Sequence, residues 1–197
     1  MRISKKSILF VLILMGLFSC KSDYQKMKEE AEASGVVAED LFLGIRFGMV
    51  RREFFETCAE HNKNGVLING PHHLQVLYHP EMPSGKKVDM FFYPDFEEDR
   101  LFFMPIEFIY TDWFPTNEEY TKDKLLADVV GLFENWYGPG FREITNQDKT
   151  IRAMVKIDGN RLIRIFIKDI KTVRAEILDL RVKDITELNK PSNEASQ

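Results

Sequence analysis

The tightest constraint on this chain lies near its end. Three runs, 151–157, 161–168 and 173–180, alternate between two kinds of side chain, and the first two meet at Asp158-Gly159-Asn160. Alternation at period two is the pattern of a strand with one face buried. An Asp-Gly pair between two such runs signals a hairpin. An antiparallel meander with one apolar side buries that side against a second layer. Counted straight through the turn, that side is Ile151, Ala153, Val155, Ile157, Ile163, Ile165, Ile167, Val173, Ala175 and Ile177. The other side then carries Arg152, Lys156, Arg164, Lys168 and Arg174, mixed with Met154, Leu162, Phe166 and Leu178.

Helices supply the covering layer. Leu125, Leu126, Val129, Val130, Phe133, Trp136 and Tyr137 make an apolar stripe at period 3.6. Thr121, or Thr116 with Glu119, is placed to cap its start, and Gly138-Pro139 stops it. An earlier helix carries Val50, Phe54, Phe55 and Cys58 on one stripe and ends at Asn64-Gly65. Strands are expected between the helices at Leu74, Val76 and Tyr78, at Val88, Met90 and Phe92, and from Leu101 to Tyr110. Pro105 in the last of these argues for an edge strand or a bulge, and the acidic stretch PDFEEDR before it reads as a solvated turn. The expected fold class is therefore α+β. It is an antiparallel sheet with two helices on one face, possibly two helix-plus-three-strand halves, in a single domain over residues 41–184.

The beginning of the chain reads differently. Arg2, Lys5 and Lys6 precede an apolar run from Ile8 to Phe18, the layout of a secretory signal peptide. The run is shorter than the roughly 20 residues a bilayer-spanning helix needs. Leu17-Phe18-Ser19-Cys20 resembles the lipobox of bacterial lipoproteins. That resemblance implies that residues 1–19 are removed, that the Cys20 thiol and the new amino terminus are acylated, and that the protein is held in the cell envelope. Lys21 after the anchor implies the outer membrane, facing the periplasm or the cell surface. Residues 20–40 are polar and are expected to form the lipid anchor and a flexible tether. Residues 185–197 are expected to be a disordered tail.

Ile45 to Phe54, IRFGMVRREF, resembles the segment that leads into the first helix of BamE-like (SmpA/OmlA) lipoproteins, which pair helices with a small antiparallel sheet. The fold of the beta-lactamase inhibitory proteins is similar. Both resemblances imply a role in binding or assembly.

No complete catalytic constellation stands beside this. Cys58, His61, His72, His73 and His79 are the residues from which a zinc or thiol site would be built, but they lack metal-ligand spacing. Cys58 also falls on the buried stripe, where a thiol acts as a small apolar group. No catalytic residue, metal or cofactor is assigned, and a binding protein is favoured over an enzyme. Net charge is −4, which gives no general attraction to nucleic acid. The charge is unevenly spread: residues 89–148 hold 14 acidic and 4 basic groups, and residues 150–183 hold 9 basic and 4 acidic. The candidate partner-binding residues are Arg152, Lys156, Arg164, Phe166, Lys168 and Arg174 on the sheet, with Trp113 and Phe114 in the turn before the second helix. That loop either docks a partner or glycan, or folds back as a lid on the core. The expected function is a lipid-anchored envelope protein that contacts another envelope protein or a glycan. An envelope hydrolase built on Cys58 and histidine, or a glycan-binding surface lipoprotein, are the alternatives.

Overall fold

A computed structural model describes residues 22–71, 75–145 and 152–185. Cys20, His72, His73, Leu74 and Ile151 lie outside the described residues, as do the signal segment and all of the C-terminal tail beyond Ile185. The elements in chain order are α1 (Asp23–Ser34), α2 (Arg51–Lys63), β1 (Leu67–Asn69), β2 (Val76–Tyr78), β3 (Val88–Phe92), β4 (Asp95–Glu97), β5 (Arg100–Tyr110), a 3-10 turn (Glu118–Tyr120), α3 (Lys122–Tyr137), β6 (Arg142–Thr145), β7 (Arg152–Asp158), β8 (Arg161–Ile167) and β9 (Thr172–Asp179). All nine strands join one sheet in the order β1-β2-β3-β5-β9-β8-β7-β6, with β4 also pairing β5. Every pairing is antiparallel. The fold is α+β, as expected, but the first helix-plus-strand half has five strands and the second has four.

The central strand is β5, not an edge. Pro105 is accommodated because the ladder beside it is interrupted. The β3 ladder ends at Phe92 opposite Ile106, and the β4 ladder begins at Asp95 opposite Phe103. On that side Pro105 meets a gap where no backbone donor is required; on the other side it lies opposite Glu176 of β9. The acidic stretch is a hairpin rather than a plain turn. Glu98 and Asp99 form its two-residue loop, both with positive φ (48° and 63°), the geometry that matches strand twist. A bulge where β4 meets β5 lets the consecutive Phe102 and Phe103 join the same cluster, while Leu101 and Met104 join the other.

The helix face of the sheet holds the main core. Thr121 caps α3 through the Lys124 N–H (3.4 Å), and its stripe buries Leu125, Val129, Leu132 and Phe133. Helix α2 adds the fully buried Phe54, which meets Tyr93 and Phe96 edge-on. Both rest on Met90, Phe92, Met104, Ile106, Phe108, Ile163, Ile165, Val173, Ala175 and Ile177.

The opposite, outer face is covered only in part, and by a helix that the composition of residues 20–40 concealed. Where a flexible tether was expected, Ser22 and Gln25 close a reciprocal capping box at the start of α1. Met27 and Ala31, one turn apart, are buried, and Met27 clusters with Phe102, Phe103, Val155, Leu162 and Leu178. Lys28 donates to Asp184 (2.6 Å), and Arg142 to Glu30 (3.2 Å). Ile185, placed at the head of the disordered tail by its sequence, packs against the same cluster.

Candidate binding surface

Register decides which side chains share a face, and it redistributes the candidate set. Asp158 pairs with Arg161 across a two-residue loop, Gly159-Asn160. Odd-numbered residues of β7 therefore lie beside even-numbered residues of β8, and the sides swap at the turn. Val155 lies opposite Arg164, while Lys156 lies opposite Ile163. So Ala153, Val155 and Ile157 belong to the outer face, and Arg152 and Lys156 belong to the helix face. Lys156 is buried there, donating to the Pro139 carbonyl (2.8 Å) and pairing with Asp158 (3.1 Å). Arg152 is exposed beside Glu143 (3.8 Å). Lys156 is thereby removed from the remaining candidates, whereas Arg152 still lines a cleft with Phe166 and Lys168 at the sheet edge.

Arg164, Phe166, Lys168 and Arg174 do share the outer face. The register there draws one continuous row across five strands, from β2 to β8: Leu77, Phe91, Glu107, Arg174, Phe166. Strands about 4.8 Å apart make this a stripe roughly 19 Å long. All five side chains are half-buried, and Ile109, also half-buried, flanks the stripe. No described helix packs across it; α1 lies along β7.

The charges on this face are wired together. Glu107 accepts from Lys168 (2.6 Å) and from Arg174 (3.1 Å). Arg174 also donates to Glu176 (2.7 Å), and Arg164 donates to the second oxygen of the same carboxylate. The Glu176 side chain is only 6% exposed, so the two guanidiniums form its lid. Arg164 lies over the Phe166 ring at 5.5 Å. The face therefore presents arginine side chains bonded to buried and half-buried carboxylates, between apolar groups on either side. Side-chain counting along the chain missed Glu107 and Glu176 because both stand in otherwise apolar runs. The signal that identifies them is the register opposite Arg174 and Arg164.

The loop before α3 divides in two. Trp113 is half-buried against the helix-side core, with the Lys171 ammonium 5.7 Å from its ring. This is the lid arrangement. Phe114 points away and is 64% exposed.

Cys58 lines a cleft of about 630 Å³ between α2 and the β1–β2 edge, with Phe55, Ile68 and Tyr93 among its walls. Burial pushes its thiol up to about 11, so it stays protonated at neutral pH. The His61 ring is engaged at Nε2 with the Leu43 carbonyl (2.8 Å), and His79 sits beside Asp89 (3.2 Å). Among the described residues no group of three or more His, Cys, Asp or Glu is arranged to hold a metal. No protein-family model, curated protein or solved structure matches the chain.

Proposed function

We propose that this chain is a lipid-anchored cell-envelope protein of the binding or assembly type, and that its outer sheet face contacts another envelope component. The anchor rests on the lipobox-like sequence ending at Cys20. The observation that carries the binding role is the row of Leu77, Phe91, Glu107, Arg174 and Phe166, across which no described helix packs. A row with apolar groups at both ends, and within it Arg174 bonded to Glu107 and Glu176, resembles an interface core, where aromatics and arginine are enriched. The geometry suits a flat protein or glycan surface that offers a carboxylate to Arg174.

Photo-crosslinking side chains at Phe91 and Phe166, in the full chain in native membranes, test the reading. One identified envelope component should be captured from both positions, and none from the exposed Arg52 on α2. Arg174→Glu should abolish the capture. Equal capture from Arg52, or capture that survives Arg174→Glu together with Arg164→Glu, would overturn it.

A further inference from the structure

The two most exposed large apolar side chains among the described residues are Ile170, at 69%, and Phe114, at 64%. They belong to different loops at one end of the sheet. Phe114 follows the end of β5, and Ile170 sits in the turn between β8 and β9. Ile109 lies opposite Thr172, which brings those loops side by side, and the Lys171–Trp113 contact joins them. The charges around them are paired only in part. Lys168 is paired with Glu107, and Asp169 accepts the backbone N–H groups of Lys171 and Thr172 (both 2.9 Å). What this end offers is apolar surface, with an aromatic and a lysine behind it.

Helix α1 brings the anchor to the same end. Val36, just past its C-terminus, abuts the Gly159 turn so closely that a Cβ on Gly159 would lie 1.9 Å from the Val36 carbonyl oxygen. Nine residues earlier, Met27 clusters with Val155 and Leu162. The helix thus runs along β7 with its N-terminus toward the end where β7 begins and β8 finishes. Cys20 is two residues before the Ser22 cap, a reach of about 7 Å. A docked helix leaves almost no slack between anchor and domain.

We propose that the Phe114/Ile170 end of the sheet is seated in the surface of the bilayer that holds the chain's own acyl anchor. The proposal rests on the reading of Cys20 as lipidated. Phe114 and Ile170 enter the acyl boundary, while Trp113 and Lys171 lie at headgroup level, where amphipathic side chains are favoured. The seating turns the outer sheet face sideways to the membrane, where a second envelope component can reach it.

The test uses the full acylated chain in vesicles of brominated phosphatidylcholine alone, with Trp113 and Trp136 replaced by Phe. A single reporter is then introduced as Phe114→Trp or, at the opposite end beyond β9, as Val182→Trp; Val182 is 45% exposed. The expected result is several-fold stronger bromine quenching at position 114 than at 182, unchanged by added salt. Equal quenching at both positions, with acyl chains found on Cys20 by mass spectrometry, overturns the proposal and leaves the anchor standing. A Cys20 without acyl groups overturns both. A position-114 signal that follows protein density and ignores bromine means contact between copies and also overturns it.

Discussion

The two faces of the sheet are built from the same strands but spend their side chains differently. On the helix face, α2 and α3 bury a continuous core in which Phe54, Phe133, Phe108, Ile106 and Ile165 are fully enclosed. On the outer face, α1 buries Met27 and Ala31 and packs Tyr24 beside them, and among the described residues the rest of that surface holds charge pairs and half-buried apolar groups. The first arrangement gains stability by excluding water from a large apolar area. The second leaves many of its groups in reach of solvent. The difference teaches that a strand's two sides can be assigned separate tasks, with register alone deciding which residue takes which.

Phe133→Ala probes the helix face and should have the largest effect. Its ring meets Phe108 (6.0 Å), Trp136 (5.5 Å) and Tyr137 (5.5 Å) with no exposure. Truncation should cost about 3–5 kcal/mol, read as a lower urea midpoint with an unchanged slope. An effect under about 1 kcal/mol would mean that α3 is not the principal cover of this sheet. This half of the molecule was also the legible half. The α3 stripe, its Thr121 cap and its Gly138 stop all stand in the sequence. They stand there because one helix buries a wide face and needs an unbroken run of apolar residues to do so.

Met27→Ala makes the comparison on the outer face. The expected cost is about 2 kcal/mol, at the low end for a buried methionine, because one edge of its site opens to solvent. The loss should also be local. Amide exchange should speed in α1 while β5 and β9 keep their protection, since few contacts hold the helix down. Global loss of protection equal to that of Phe133→Ala would erase the distinction between the faces. Such a helix is hard to read from sequence. Two buried side chains among polar ones leave little periodic signal, and the polar composition of residues 20–40 argued for a tether. The β7 register was hidden for a related reason. Asp158-Gly159-Asn160 taken as three loop residues preserves odd and even sides, whereas the observed two-residue loop exchanges them. Pro105 misled in the same way, because the gap that tolerates it is made by a neighbouring pair of strands.

The two glutamates of the outer face sharpen the contrast to its smallest scale. Glu176 is 6% exposed and receives Arg164 and Arg174; Glu107 is 27% exposed and receives Arg174 and Lys168. Glu176→Gln removes the charge that both guanidiniums cover, and charge-assisted hydrogen bonds of this kind contribute about 1.5 kcal/mol or more. Glu107→Gln removes a partly solvated charge, for which about 0.5 kcal/mol is expected. Urea unfolding, which leaves ionic strength free to vary, separates them further. The Glu107 effect should fade as salt rises toward 1 M, where screening lengths fall to about 3 Å, and the Glu176 effect should persist because water and ions do not reach it. Equal, salt-sensitive losses at both positions would mean that the carboxylates are simple surface partners. Unequal losses mean that Glu176 fixes the arginines in place while Glu107 stays exchangeable. An interface needs that division if a partner's own carboxylate is to take over Arg174.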